Sequence, residues 1–406
     1  MSMKSIKYLS CLIMFLCFIA QPSTEIHAGL TKLPKTSTNT LVVDPVKPFS
    51  MPDNYPKEIT EYLDEQLTAR SYVVIDVETD RVLAQKDATT PHEIASMTKV
   101  AAIYLAYKAI DEGKITLDTK VTAPKEIVDN ISNNYELSNV GMQSDVEYPV
   151  RDLLYAMMLP SGNDATSALM WKIYGNEENA VNAIKSQLED WGITNCEFYQ
   201  TSGVPNNTLP DTMWILGSSA NSENKLSAAD MGVLAEHVVK DYPEILKITS
   251  TMSYTFMKGT SQEQVLNNFN SLLPEASLGR EGVTGLKSGY TELAGKTMTT
   301  TTTENGRKII AVVMGVNDPN ISTYQETEII LNKLNEYPDL YKNEQLPVVT
   351  KPSKEELAAK KEKLLAEKAA KENKNKPAKD TQPKEKNKRD NPLTNFVRSI
   401  FGIFGN

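Results

Sequence analysis

Cysteine and histidine each occur only three times in 406 residues, and that shortage narrows the available chemistry. Cys11 and Cys17 fall in an apolar run near the N-terminus, leaving Cys196 as the one thiol of the remaining chain. With a single thiol no intramolecular disulfide forms, so an exported chain of this kind is held by its core. Cys196 has no base near it in sequence and reads as a small buried apolar residue. His27, His92 and His237 give a Ser-His-Asp triad or a histidine-rich metal site little to draw on. His237 reads as a surface or packing residue. No metal and no cofactor is expected.

The apolar run Tyr8 to Ala20 is too short for a comfortable membrane span. Lys4 and Lys7 precede it and a polar stretch ending at Ile26-His27-Ala28 follows, the pattern of a secretory signal peptide over residues 1–28. An uncleaved anchor is the lesser alternative. Positive charge is scarce in the body. The whole chain carries −9, but residues 351–406 carry +7, which leaves −16 on residues 1–350. An acidic body argues against a nucleic-acid-binding core, and a basic tail suggests an anionic neighbour. A 40% hydrophobic and 23% charged composition suits a soluble core with a polar attachment.

Residues 29–54 read as an irregular leader containing Pro45, Pro48 and Pro52. A charged linker is expected over 342–391, with a helix over 357–371 and disorder in the rest. From Pro392 onward, apolar residues at 393, 396, 397, 400, 401, 403 and 404 form one helical stripe. An aromatic-rich stripe ending a basic tether is expected to lie in the plane of an anionic membrane surface. Docking back onto the body is the alternative.

Between these ends the periodicities predict a helix over 57–67, a strand over 71–77 and its hairpin partner over 81–86. Helices are predicted over 148–159, 165–174, 226–239 and 322–337, and strands over 282–290, 298–303 and 307–316. The stretch Pro91 to Val100 ends a strand-like run and opens the apolar segment Val100 to Tyr107. A serine at the first turn of that helix, Ser96, has unsatisfied backbone N–H groups beside its hydroxyl. Lys99 lies three residues on, on the same helix face. If that face is buried, desolvation favours a neutral amine, which can take the serine proton. Ser222-Glu223-Asn224-Lys225 repeats the spacing in a polar run, where its lysine stays solvated. Ser161 and Asn163 sit in a tight loop after Pro160, though Ser, Asn and Asp are also ordinary helix caps. In Gly285-Leu286-Lys287-Ser288-Gly289-Tyr290, glycine within a strand marks a place where backbone or ligand approaches closely.

Ser96-Met97-Thr98-Lys99, Ser161-Gly162-Asn163 and Lys287-Ser288-Gly289, in that order, resemble the three motifs of the penicillin-recognising serine enzymes. Their flanks, Val150 to Tyr155, Leu159 to Ala165 and Thr284 to Thr291, look like the low-molecular-mass D-alanyl-D-alanine carboxypeptidases. The hairpin at 71–86, Phe198 to Pro205 and Leu226 to Met231 agree, so the resemblance covers roughly residues 55–340. It implies an α/β (α+β) fold of the β-lactamase/transpeptidase type: an antiparallel sheet covered by helices plus a helical subdomain, over residues 55–341.

The resemblance also implies roles. Ser96 attacks the carbonyl between two D-alanines, Lys99 is the base and Ser161 relays the proton to the departing D-alanine. Asn163 holds the acyl peptide's amide, and Lys287 with Ser288 binds the terminal carboxylate. Backbone N–H groups of Ser96 and Tyr290 form the oxyanion hole beside Gly289. The implied partners are peptidoglycan stem peptides ending in D-Ala-D-Ala, with β-lactams as covalent inhibitors, at the outer face of a bacterial cytoplasmic membrane. Four departures stand out. Ser288 replaces the usual threonine, and Tyr290 stands where many relatives have histidine. Asn320 to Thr323 offers no arginine for the substrate carboxylate, and the family's β-rich second domain has no room after Tyr341. A class A-like β-lactamase shares the triplet but adds a glutamate that activates the deacylating water, and no convincing motif of that kind lies between Asn163 and Lys287. A non-catalytic, membrane-tethered binder of peptidoglycan or β-lactams is the alternative from another class.

Overall fold

A computed structural model describes residues 48–349, together with Glu356, Ala359, Glu362 and Lys363, which are helical. The expected signal peptide, most of the expected leader, the helix expected over 357–371 apart from Ala359, Glu362 and Lys363, and the 392–406 stripe lie outside the described residues. The described part opens with α1 (Lys57–Gln66), which buries Ile59 and Leu63 one turn apart. Full burial of such side chains contributes about 1.5–3 kcal/mol each. Strands β1 (Ser71–Asp76) and β2 (Arg81–Lys86) then form the expected hairpin.

β3 (Pro91–Glu93) leads into a tight 3-10 turn, Ala95–Thr98, and then α2 (Lys99–Asp111). Every residue of α2 from Lys99 to Ala106 is buried. A helix apolar on all sides has to run through the middle of a core. Around it lie α3 (Val150–Met158), α4 (Asn163–Tyr174), α5 (Glu177–Asp190), α6 (Ala228–Asp241) and α7 (Ile245–Thr249).

Two predicted helix starts move C-terminal, each because a distant segment claims the residues first. Tyr148 and Pro149 belong to β5 (Glu147–Pro149), which pairs with β4 (Lys120–Thr122). Leu226 belongs to β6 (Lys225–Ser227), which pairs with β3, and Ser227 then caps α6 by accepting from the Asp230 backbone N–H. The loop expected at 161–164 is also shorter than its sequence suggests, since Asn163 and Asp164 already form the first turn of α4.

A small hairpin, β7 (Ser253–Phe256) with β8 (Gln264–Asn267), precedes β9 (Gly285–Thr291), β10 (Gly295–Glu304) and β11 (Arg307–Val316). The main sheet is antiparallel throughout, in the order β2-β1-β11-β10-β9. The chain returns as α8 (Thr323–Asn335), whose start carries a capping box from Ser322 and Gln325. Both faces of the sheet are covered. Val73, Ile75, Ile310 and Val312 face the helical core, while Tyr72, Val74, Ile309 and Ala311 face α1 and α8. That two-sided burial explains why β1 and β11 read as near-continuous apolar runs in an antiparallel sheet. An antiparallel sheet covered by helices, with a helical subdomain, is the architecture the sequence implied.

The body also runs past the expected boundary at Tyr341. Leu346 and Val349 are buried, the Val82 N–H donates to Pro347 O at 2.8 Å, and the Val349 N–H donates to Asp80 O at 2.9 Å. These residues cover the open edge of β2, which an edge strand otherwise leaves unpaired. At the other end Phe49 and Met51 pack on the body, so the described end of the leader is part of it.

Candidate active site

Ser96 stands in the 3-10 turn that joins β3 to α2, one step before the α-helix proper. Ala95, just before it, has φ 48°, a conformation costing about 1–3 kcal/mol for a residue with a Cβ. Two glycines crowd this turn. A Cβ on Gly203, itself at φ +82°, would lie 2.0 Å from Ala95 O. One on Gly289 would lie 2.9 Å from the Ser96 backbone nitrogen. Gly289 thus lets the edge strand β9 press directly against the serine's backbone, as its sequence context suggested.

The Lys99 Nζ lies 3.0 Å from Ser96 Oγ, 2.6 Å from Asn163 Oδ1 and 2.7 Å from Ser202 O. Its side chain has no exposed surface. Burial holds the amine well below its usual value, Lys287 adds like charge, and Asp164 pulls it back up. A neutral amine has two N–H donors and one lone pair. Asn163 Oδ1 and Ser202 O take the donors, which turns the lone pair to the Ser96 hydroxyl. This is the geometry of an activated nucleophile and its base.

Ser161 has φ 64° and is buried, and its Oγ has no hydrogen-bond partner among the described residues. An unpaired buried hydroxyl held in a costly conformation points to a duty not seen in the unliganded protein. Asn163 makes both an acceptor and a donor contact. Its Oδ1 accepts from Lys99 and its Nδ2 donates to Ser138 O at 2.8 Å, so it orients the lysine. One donor and one acceptor position remain for a ligand.

Lys287 is buried on β9, donates to Ser288 O at 2.8 Å, and is pushed down to about 7 by burial. Ser288, Gly289 and Tyr290 follow it along the strand. Tyr290 is 66% exposed and lines the cleft. All eight expected site residues except Lys99, which lies behind the wall, line one cleft of about 410 Å³. Its lining includes Phe269, Lys296, Thr323 and Tyr324, none of which the sequence marked.

Other contributors were illegible because they act through backbone or from behind. Asp164 accepts from the Val140 and Met142 N–H groups at 3.1 and 3.0 Å and so holds the wall that contains Ser138. Asn224 accepts from the Tyr199 N–H at 2.7 Å and donates to Thr98 Oγ1 at 2.9 Å, which ties the Ser202 segment to the nucleophile turn. It belongs to the second S-x-x-K copy, whose Lys225 pairs with Glu93 and Glu197. His237 stacks on Trp191 at 4.0 Å, and the half-buried Cys196 thiol is pushed up to about 12 by burial. Neither takes part in the cleft. Among the described residues no cluster of His, Cys, Asp and Glu could hold a metal ion.

A helix-backed sheet whose edge strand meets a half-buried serine backed by a buried lysine defines a class of acyl-transfer cleft, and comparison with known proteins makes the class specific. Residues 57–318 match the D-alanyl-D-alanine carboxypeptidase family model. The D-alanyl-D-alanine carboxypeptidase DacA of Haemophilus influenzae is 30% identical over 66% of this chain and 61% of its own length. DacF of Bacillus subtilis is 28% identical over 70% and 68%. A peptidoglycan synthesis regulatory factor (PBP3) from Streptococcus pneumoniae superposes with a TM-score of 0.63 at 34% identity, over 67% of this chain and 72% of that one. The chain belongs to the D-alanyl-D-alanine carboxypeptidase family. It spans less than two thirds of the Haemophilus relative's length.

Proposed function

We propose that this protein is a serine-type D-alanyl-D-alanine carboxypeptidase that removes the terminal D-alanine from peptidoglycan pentapeptide stems. The observation that carries the reading is the fully buried Lys99 amine 3.0 Å from Ser96 Oγ. Ser96 gives its proton to Lys99 as its oxygen bonds to the penultimate D-alanine's carbonyl carbon. The N–H groups of Ser96 and Tyr290 receive the oxyanion, a contribution of about 3–4 kcal/mol per donor in serine enzymes. The proton passes from Lys99 through the unpaired Ser161 hydroxyl to the departing nitrogen as the C–N bond breaks. Water then attacks the Ser96 ester and regenerates the serine. Asn163 orients Lys99 and offers its remaining positions to the acyl peptide, while Lys287 and Ser288 receive the terminal carboxylate.

A β-lactam presents the same carbonyl and carboxylate and acylates Ser96 in the same pose, leaving slowly. The three buried glutamates between the second and third motifs are all taken up, Glu177 by Thr201 and Trp171, Glu223 by Thr291 and Glu236 by Lys240, which supports slow deacylation over a β-lactamase's fast turnover. The deciding measurement is D-alanine release from a pentapeptide, with mass spectrometry after mixing with penicillin. Ser96→Ala is expected to lose both release and covalent adduct. Unchanged release in that variant would end the proposal, and an adduct that clears within seconds would make the protein a β-lactamase.

The chain is proposed to work outside the cytoplasm, held at an anionic membrane surface by residues 392–406. No helix among the described residues is long and apolar enough to cross a membrane. The basic tether and the apolar stripe support in-plane anchoring. Co-sedimentation with phosphatidylglycerol vesicles is expected for the full chain, to fall with salt, and to vanish when residues 392–406 are removed. Equal sedimentation of the two chains would exclude the anchor.

A further inference from the structure

The second Ser-x-x-Lys copy, Ser222 to Lys225, spends its lysine on Glu93 and Glu197, yet it lies beside the nucleophile turn. Asn224 immediately precedes β6, and the Ile94 N–H extends the β3–β6 ladder by donating to Asn224 O at 3.0 Å. The Asn224 side chain is buried, and its amide has two donors and two acceptor positions. All four are filled. Oδ1 accepts from the Tyr199 and Gln200 N–H groups at 2.7 and 3.2 Å. Nδ2 donates to Gln200 O at 2.7 Å and to Thr98 Oγ1 at 2.9 Å. Thr98 Oγ1 in turn donates at 2.7 Å to the carbonyl of Ala95, the positive-φ residue just before Ser96.

Residues 198–205 contain no helix and no strand, although Ser202 O within them takes one of the two N–H groups of a neutral Lys99. Backbone outside a regular ladder needs other partners to fix its polar groups. Glu177 on α5 anchors Thr201, and Asn224 joins that anchored segment to the turn bearing Ser96. The joint has little slack, since a Cβ on Gly203 would lie 2.7 Å from Thr98 Oγ1. We propose that Asn224 is a positioning residue for acylation. By bonding the 199–200 backbone and the Thr98 hydroxyl at once, it holds Ser202 O and the Ser96 turn in register, and the Lys99 lone pair stays aimed at the Ser96 hydroxyl. This rests on the Ser96–Lys99 pairing of the carboxypeptidase reading. Without the amide, Ser202 O drifts, the lysine N–H it held turns elsewhere, and the lone pair loses the serine.

Penicillin acylation of the full chain, followed over a range of antibiotic concentrations, separates the dissociation constant of the first complex from the acylation rate constant. The final amount of adduct counts the folded, competent molecules. Asn224→Ala is expected to lower the rate constant about a hundredfold, the cost of a displacement near 1 Å. The dissociation constant is expected to change little, and the adduct to reach one per chain. Thr98→Val, which keeps the shape and removes the hydroxyl, is expected to slow acylation about tenfold, the worth of one hydrogen bond. Combined with Asn224→Ala it is expected to add little, because both changes break the same link. Adduct formed at the wild-type rate but in reduced amount makes Asn224 merely structural and overturns the proposal. A change confined to the dissociation constant, or a double variant slowed by the product of the single effects, overturns it too. If Asn224→Ala yields no folded protein, Thr98→Val decides alone, and a wild-type rate constant in that variant overturns the proposal. A wild type that takes no penicillin on Ser96 overturns the Ser96–Lys99 reading itself, a result distinct from these.

Discussion

Lys287 is costly to bury, and the cost has a sign that can be measured. Its folded pKa of about 7 lies below the ordinary lysine value of 10.5. Between those values the unfolded chain binds a proton that the folded chain does not, so this group makes stability rise with pH across that window. Below about pH 7 the full penalty is present. Lys287→Met is therefore expected to raise the melting temperature more at pH 6 than at pH 10 while abolishing D-alanine release, and an equal gain at both pH values would sink the assignment. A bound carboxylate would draw the lysine back to its charged form, which ties the cost to a ligand. Ser161 tests the same trade without charge. Its hydroxyl has no partner, so Ser161→Ala should leave thermal stability unchanged or slightly raised. It should also slow penicillin acylation roughly 10²–10⁴-fold, the range for a proton-transfer group. A large stability loss at normal acylation would make Ser161 structural.

Elements matter here as rigid carriers. α2 holds Lys99 in the middle of the core, where no water reaches the amine, and α4 begins at the residue that orients it. β9 is the edge of the sheet, and the turn bearing Ser96 takes the position beyond it. The contact tolerates no side chain: a Cβ at 289 would also lie 2.8 Å from Thr297 Oγ1 and 3.0 Å from Ala95 Cβ. Gly289→Ala is accordingly expected to shift β9 away from the serine and slow acylation about a hundredfold, since a displacement near 1 Å costs that much. Circular dichroism should be unchanged, and wild-type acylation rates in this variant would show that the close approach is incidental.

For the whole molecule, the three-layer arrangement explains why chemistry gathers at one sheet edge. The inner strands are buried on both faces, which leaves the outer strands to meet other chain segments. β2 meets the stretch 347–349, and β9 meets the nucleophile turn. The first closure is structural and extends the body to Val349. The second forms the cleft, walled on one side by the segment around Ser138 and on the other by α8.

The sequence by itself determined the elements with strong periodicity and the residues whose spacing is local. The hairpin at 71–86 and the strand at 307–316 were legible because apolar runs bounded by turn residues need no distant partner to be read. The pairing of Ser96 with Lys99 was legible because one helical turn brings them together. Only the tertiary structure decided what depends on contacts between distant segments. It made strands of Tyr148 and Leu226 because β4 and β3 claim them. It gave Asn163 to Lys99 and brought Ser202 O, Asn224 and Tyr324 to the site. Those roles rest on backbone carbonyls, buried amides and packing across the chain, and such partners carry no local spacing for a sequence to display.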